Sequence, residues 1–301
     1  MTFKAKHRNT TLTAVFAVLV FAFFNYIYPY HLHYQEQMQL FRFCSDYFKE
    51  SLSIPGGLAD WINGFLVQFF YYAPLGALII SALAVALQSL VWSEMKRRGA
   101  SESSYPLSLL PSVVSVLFLF DENALLTGVL AIIASLLVLK PLRLVKSDLV
   151  KDILAVALVP VMYYLFGSIS VVVMSLCYIC DVILSSRKAS AKLVITAVLL
   201  AAFILCGVVA QFVEAYPLNR LLFGIHYHRH HNAIPVLVWT AAILVPVISL
   251  LAKSFAKKEG GKDYRFVILA LAVLAVQCAP AALLVDLQKE ELFKYDFMVR
   301  M

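Results

Sequence analysis

Runs of apolar residues recur along almost the whole 301-residue chain, and short polar segments separate them. A helix needs about 20 apolar residues to cross the hydrocarbon core of a bilayer, and its backbone polar groups must be satisfied within the segment itself. The pattern therefore predicts an all-α fold, a transmembrane bundle of about nine spans. They lie at about 11–29, 64–92, 106–120, 123–139, 153–167, 169–185, 193–211, 233–252 and 266–286.

The basic residues predict the orientation of these spans. If the N-terminus is cytoplasmic, 18 of the 25 Lys and Arg residues fall in inner segments, which agrees with the positive-inside rule. We therefore expect an N-in, C-out topology with the lipid bilayer as the principal partner. The formal net charge of +7 then follows from topology, so no nucleic acid partner is expected.

Composition excludes a soluble enzyme of ordinary type. The chain is 62% hydrophobic and 14% charged, whereas soluble domains are about one quarter charged. Of the five cysteines, four fall in predicted spans and only Cys44 lies in a loop, so no disulfide framework is available. The first apolar run ends in FFNYIYPY rather than in a cleavage site, which favours a retained first helix over a signal peptide.

Residues 30–63 form the predicted first extracytoplasmic loop. From Gln35 to Leu52, apolar residues recur at helical spacing and polar residues fill the opposite face, a pattern typical of an amphipathic helix in the membrane interface. Pro55-Gly56-Gly57 ends this helix. In the following span, Pro74 and Gly76 predict a kink.

Residues 212–232 form a second, His-rich extracytoplasmic loop, within which GIHYHRHHNAIP begins at Gly224. In an extended chain, His226, His228 and His230 point the same way, and a carboxylate from Glu36 or Glu214 would complete a zinc-like ligand set. Arg229 opposes a cation there. A polar loop at headgroup depth explains the same residues without metal, and we favour that interpretation. No other cofactor is expected.

Glu36 is the candidate catalytic residue. A carboxylate at the start of the interfacial helix could act as general base on a substrate that arrives from the membrane. The alternative is that Glu36 belongs to the solvated face of that helix, and this alternative is favoured. For a coupled transporter, ionisable residues are expected deep in the spans. The clearest is Asp181, near the predicted cytoplasmic end of the sixth span.

The segment from HLHYQEQMQLFRFCSDYFKE through FLVQFFYYAPLGALI, with the ending LQKEELFKYDFMVRM, resembles an uncharacterised family of integral membrane proteins from Bacteroides-type bacteria, known only as a domain of unknown function. The resemblance implies a location in the bacterial inner membrane and no assigned activity. The predicted spans make residues 1–286 the transmembrane domain and leave residues 287–301 as an extracytoplasmic stub. The resemblance implies that this stub is the start of a missing soluble region.

The architecture is also similar to the GT-C class of glycosyltransferases, which use a polyprenyl-phosphate-linked sugar and an acidic base in the first outer loop. That likeness implies Glu36 as base, with His31, His33 and Arg229 near the phosphate. The paired acids common in that class are replaced here by Gln35-Glu36-Gln37. The first hypothesis is therefore a membrane protein that anchors or scaffolds an extracytoplasmic module. The alternative is a GT-C-like transferase, and the third is a transporter.

Overall fold

The computed structural model describes residues 3–121, 123–224, 227, 234–251 and 264–284, and every secondary-structure element in them is a helix. The α-helices are α1 (Phe3–Ala22), α2 (Pro29–Met38), α3 (Ser45–Ser51), α4 (Gly57–Val67), α5 (Ala73–Arg97), α6 (Leu110–Phe118), α7 (Thr127–Leu144), α8 (Asp148–Phe166), α9 (Ser168–Leu184), α10 (Ala189–Ala210), α11 (Leu218–Phe223), α12 (Val236–Leu251) and α13 (Tyr264–Leu284). A π-helix covers Phe23–Ile27, and 3₁₀-helices cover Gln68–Tyr71 and Glu102–Leu109.

Five helical segments in the described part of the chain are long and apolar enough to cross a membrane. They are His7–Ile27, α5, α7, α8 and α10. The helices α9 and α12 and the segment Phe266–Gln277 are apolar but shorter. The all-α prediction is confirmed, and each of the nine predicted spans contains a helix over at least part of its length.

The described residues divide into two compact units. The first unit comprises those within 1–41, 64–124 and 252–301, and the second those within 42–63 and 125–251. In the first unit, α1 packs against α5, and α13 packs against α6 and the 3₁₀-helix that precedes it. In the second unit, α9 is central because it contacts α7, α8, α10 and α12.

The predicted interfacial helix from Gln35 to Leu52 is wrong in one respect, because it is interrupted. Between α2 and α3, residues 39–44 are not helical. Gln39 adopts an extended conformation, and its carbonyl oxygen accepts a hydrogen bond of 3.0 Å from Gln68 Nε2. At Gln39, a hydrogen bond from a distant side chain has thus replaced the hydrogen bond of a continuing helix. The predicted stop at Pro55-Gly56-Gly57 is confirmed, since α3 ends at Ser51 and α4 begins at Gly57.

The predicted kink near Pro74 takes the form of a break ahead of the proline. The chain leaves α4 through the 3₁₀-helix Gln68–Tyr71 and begins α5 at Ala73, so Pro74 occupies the first turn, where its missing N–H costs no hydrogen bond. Gly76 permits this close turn, since a Cβ there would lie 3.0 Å from Phe70 Cδ1 and 3.1 Å from Leu32 Cδ1.

Candidate functional site

One end of the second unit is held by charged side chains, and we call it the basic end. It gathers the last turn of α7, the first turns of α8 and α10, and the last turn of α9. The Arg187 guanidinium donates two hydrogen bonds to Asp152, of 2.8 and 3.0 Å, and its Nη2 lies 3.0 Å from Asp148 Oδ1. Hydrogen bonding to Asp148 raises the pKa of Arg187 above its ordinary value. The guanidinium therefore stays charged.

Two further contacts complete the basic end. Arg143 Nε donates a 2.8 Å hydrogen bond to Asp181 Oδ2, which joins the ends of α7 and α9. Lys192 Nζ donates to the carbonyl oxygens of Ile183 and Ser185, both at 2.7 Å, and so satisfies the C-terminus of α9. Asp181, the clearest ionisable residue in the predicted spans, thus takes part in an ion pair with Arg143.

The first unit has a comparable cluster around Glu102. Asn9 Nδ2 donates a 2.7 Å hydrogen bond to Glu102 Oε2, and Lys96 forms an ion pair with the same carboxylate. The Arg8 guanidinium stacks 3.7 Å above the Phe266 ring. These contacts join the start of α1, the end of α5 and the start of α13. In each unit, a cluster of basic residues therefore lies at one end of the long helices.

The opposite end of the second unit is held by neutral hydrogen bonds, and we call it the tyrosine end. Two adjacent tyrosines near the C-terminus of α8 bind two different loops. Tyr163 Oη donates to the Leu221 carbonyl oxygen at 3.0 Å. Tyr164 Oη donates to the Leu52 carbonyl oxygen at 2.5 Å, and the Tyr164 carbonyl oxygen accepts a 2.7 Å bond from Gly56 N.

Tyr227 is the buried centre of the tyrosine end. Its side chain is 1% exposed, and its hydroxyl accepts a 2.8 Å hydrogen bond from Ile169 N at the start of α9. The hydroxyl also lies 3.3 Å from Ser168 Oγ. Gly167, with φ of +79°, provides the space, because a Cβ there would lie 2.5 Å from Tyr227 Oη. Burial raises the pKa of the Tyr227 phenol above its ordinary value, so the hydroxyl keeps its proton.

Two adjacent residues before α7 repeat this double attachment. Leu125 N donates a 3.0 Å hydrogen bond to the Tyr227 carbonyl oxygen, and Leu126 N donates a 3.0 Å bond to Asn63 Oδ1. Residues 52–63 of the first loop and Tyr227 of the His-rich loop are therefore bound at the same end of the second unit. The described parts of the two loops are thus attached to neighbouring residues, Leu125 and Leu126.

The candidate catalytic and substrate-binding residues on α2 lie in the first unit. Glu36 and His33 are half-buried. Within the described part of the chain, the Glu36 carboxylate has no hydrogen bond or ion pair. His31 is buried, and its ring stacks on Tyr28 with 5.2 Å between centroids. The next turn is fixed by Gln35, whose Nε2 donates a 2.6 Å hydrogen bond to the Ala124 carbonyl oxygen. The assignment of Glu36 as a base stays a prediction.

The candidate metal ligands His226, His228 and His230, and the candidate phosphate contact Arg229, lie outside the described residues. Among the residues that the structure does describe, no group of three or more His, Cys, Asp or Glu side chains is placed to hold a metal ion. The divalent metal therefore stays a prediction that depends on those histidines.

Several residues that shape the tyrosine end were missed by sequence reasoning. They are Asn63, Tyr163, Tyr164, Gly167 and Tyr227. A Gly flanked by two long apolar runs, at Phe166-Gly167-Ser168, was a visible signal of a tight turn. The aromatic residues gave none, because a tyrosine near a span end is equally typical of the membrane interface.

Comparison with known families matches residues 4–301 to the model of a family described as of unknown function, DUF6057. No curated protein and no solved structure matches the chain.

Proposed function

The chain belongs to DUF6057, a family of unknown function, and we propose that it is a multi-pass protein of the bacterial inner membrane whose outer end anchors an extracytoplasmic module. The proposal includes about nine spans, with the N-terminus inside and the C-terminus outside. The interaction partners are the lipid bilayer and the module itself.

The membrane assignment rests on three apolar helical segments, His7–Ile27, α8 and α10, of which most residues are not buried against the rest of the protein. In the most apolar 18-residue stretch of α8 and of α10, 22% of the residues are buried. In the corresponding stretch of His7–Ile27, the share is 28%. The corresponding shares are 50% for α5 and 56% for α7. Leu193, Leu200 and Leu205 on α10 are all more than half exposed. Large apolar side chains exposed in such number along one helix are typical of a surface that contacts lipid or another protein. Because the helices are long enough to cross a bilayer, lipid is the surrounding that we propose.

The two ends of the second unit fit the two faces of a bilayer. The 19 residues of α8 span about 28 Å at 1.5 Å per residue, close to the roughly 30 Å of a hydrocarbon core. Basic side chains mark one end of α8 and aromatic side chains the other, the distribution found at the inner and outer interfaces of membrane proteins. We therefore assign the basic end to the cytoplasm and the tyrosine end to the outer face.

The first unit supports the same orientation independently. Along α5, the exposed Tyr71 and Tyr72 precede the first turn, and Lys96 and Arg97 lie in the last turn. Tyr26, which is also exposed, lies in the π-helix that follows α1, whereas Asn9 near the start of α1 contacts Glu102 beyond the end of α5. This distribution supports an aromatic end outside and a basic end inside, with the N-terminus in the cytoplasm.

The anchoring role rests on the way the outer loops are held. Residues 52–63 and Tyr227 are attached through hydrogen bonds of neutral groups rather than through long charged side chains, and the bonds of Asn63 and Tyr227 are buried. Such attachment gives the outer face a fixed shape, and a fixed surface lowers the conformational cost of binding a partner.

Topology is tested with single cysteines at the two ends of the second unit. In a Cys44→Ser background, we expect a membrane-impermeant maleimide to label Ser53→Cys in intact spheroplasts. Ser186→Cys, which is equally solvent-exposed but at the basic end, should be labelled only after lysis. The reverse pattern would overturn the orientation, and labelling of both in intact spheroplasts would overturn the membrane assignment.

The anchoring role is tested by photo-crosslinking in cells from the same two positions. We expect a probe at residue 53 to form a discrete adduct with an extracytoplasmic protein, identified by mass spectrometry, and a probe at residue 186 not to form it. Adducts from residue 53 that contain only lipid would contradict the anchoring role and leave the topology intact.

A further inference from the structure

The first loop contains a cavity that the anchoring role does not use. It has a volume of about 280 Å³ and is lined by Phe43, Cys44, Ser45, Phe48 and Trp61. The Phe48 and Trp61 rings meet edge to face at 5.1 Å, and the Phe43 ring lies 6.3 Å from Trp61. Phe43 is 80% exposed, so this aromatic cavity opens to the outside of the protein.

The chemistry of the lining selects against polar ligands. Three of the five side chains are aromatic, and the polar side-chain groups are one thiol, one hydroxyl and the indole N–H of Trp61. No charged side chain lines the cavity. A phosphate, a carboxylate or a metal ion would therefore lose its hydration without gaining a charged partner. An apolar chain gains by leaving water.

The depth of the cavity identifies the apolar chain that is available there. The cavity lies between the start of α3 and α4, and the segment that joins these helices is bound to the end of α8 by Gly56 N and Tyr164 Oη. The cavity therefore lies at the tyrosine end, about 28 Å along α8 from Asp148. In the proposed topology, this is the depth of the outer membrane interface. Lipid acyl chains begin at that depth.

We infer that this cavity binds one acyl chain of a membrane phospholipid. The inference rests on the proposed membrane location of the chain. The lipid chain packs against the Trp61 and Phe48 rings and covers the Cys44 thiol. Its headgroup stays outside the lining, in the interface.

Trp61 provides a direct test of occupancy. The chain has three tryptophans, so Trp92→Phe and Trp239→Phe leave Trp61 as the reporter in the full-length protein. We expect phosphatidylcholine brominated on its acyl chains, titrated into detergent-solubilised protein, to quench Trp61 fluorescence to saturation. Ser45→Leu, which fills the cavity from its rim, should abolish the saturable component. Ser53→Leu makes the same exchange at an exposed position outside the lining, and should retain it.

Cys44 gives a second readout on the unmodified chain. Cys44 is exposed, whereas Cys177 and Cys180 are buried. If only the empty cavity lets the thiol react, lipid at ten times its dissociation constant should slow alkylation of Cys44 about tenfold, as mapped by peptide mass spectrometry. Protection in native membranes that pure phospholipid does not reproduce would overturn the proposal and indicate a protein occupant.

The failure of this proposal differs from failure of the membrane assignment. Trp61 quenching that never saturates and that Ser45→Leu does not change overturns the acyl-chain site. If single-tryptophan variants that retain Trp239 or Trp92 are still quenched in brominated vesicles, the membrane location stands. If no tryptophan is quenched in vesicles, both proposals fall.

Discussion

The two ends of the second unit are closed by different kinds of interaction. At the basic end, Arg187, Asp148, Asp152 and the pair Arg143–Asp181 join three helices, α7, α8 and α9, and the segment before α10 through charges that are partly in contact with solvent. At the tyrosine end, neutral groups join two loops to three helices, and the central side chain, Tyr227, is almost completely buried. The same helices run between both ends, so the contrast is one of chemistry and not of architecture.

This contrast suggests that one end of a helical unit can tolerate substitutions while the other end depends on closely packed, buried contacts. The charged side chains at the basic end keep some contact with solvent, from 14% for Arg187 to 63% for Asp148. Ion pairs that water and salt can reach contribute little, so the basic end should accept substitution better than a fully buried contact. A buried neutral hydrogen bond is costly to leave unmade, and a side chain in contact with a glycine leaves no room for change. The tyrosine end should therefore dominate the effect of mutations on stability.

The largest expected effect is that of Gly167→Ala. The added Cβ would lie 2.5 Å from Tyr227 Oη, in a residue with φ of +79°, so both overpacking and backbone strain oppose it. We expect the free energy of unfolding in detergent to fall by about 3 kcal/mol. Gly99→Ala is the matched control, because φ is +89° there but nothing lies within 4 Å of the new Cβ. It should cost only about 1 kcal/mol. Equal losses would show that backbone strain alone matters.

The next effect is that of Tyr227→Phe. The substitution removes the acceptor of the Ile169 N–H bond and leaves that buried donor unpaired, so we expect a loss of about 2 kcal/mol in the same unfolding measurement. Tyr216→Phe, at an exposed tyrosine of the same unit, should change stability very little. A neutral result for Tyr227→Phe would show that its ring, rather than its hydroxyl, holds the loop.

The smallest effect belongs to the basic end. Arg187→Gln should lower the free energy of unfolding by about 1 kcal/mol, and this difference from wild type should shrink as ionic strength rises from about 0.1 to 1 M, where the screening length falls from about 10 to 3 Å. Lys188→Gln removes the same charge from an exposed neighbour and should have no measurable effect. A loss for Arg187→Gln that salt does not change, or that exceeds the loss for Tyr227→Phe, would reverse the comparison.

Helix positions were predictable where apolar runs end at clear signals. The predicted spans 169–185 and 193–211 agree within a few residues with α9 and α10, because Gly167 and the Arg187–Lys188 pair mark their starts. The break in the predicted helix from Gln35 to Leu52 was not predictable. Hydrophobic periodicity does not show that Gln68 donates a hydrogen bond to the Gln39 carbonyl oxygen. A side-chain contact across 29 residues decides that break.

The candidate site was less predictable than the fold. The pattern around Tyr227 directed attention to histidines, which lie outside the described residues, whereas Tyr227 itself is described and is buried. Burial of Tyr227 depends on the space left by Gly167, 60 positions earlier in the chain, and no local pattern encodes such a pair. Similarly, Asn63 is one polar residue in an apolar run, and only the fold shows its Oδ1 meeting Leu126 N.

The adjacent positions of Tyr163 and Tyr164 have a mechanical consequence. Successive residues of an α-helix point about 100° apart, at 3.6 residues per turn, so α8 holds the Leu52 and Leu221 carbonyl oxygens on two different sides of its axis. Any twist of α8 about that axis displaces both hydroxyls together. As long as both hydrogen bonds persist, a rotation of α8 therefore moves the two attached loops together.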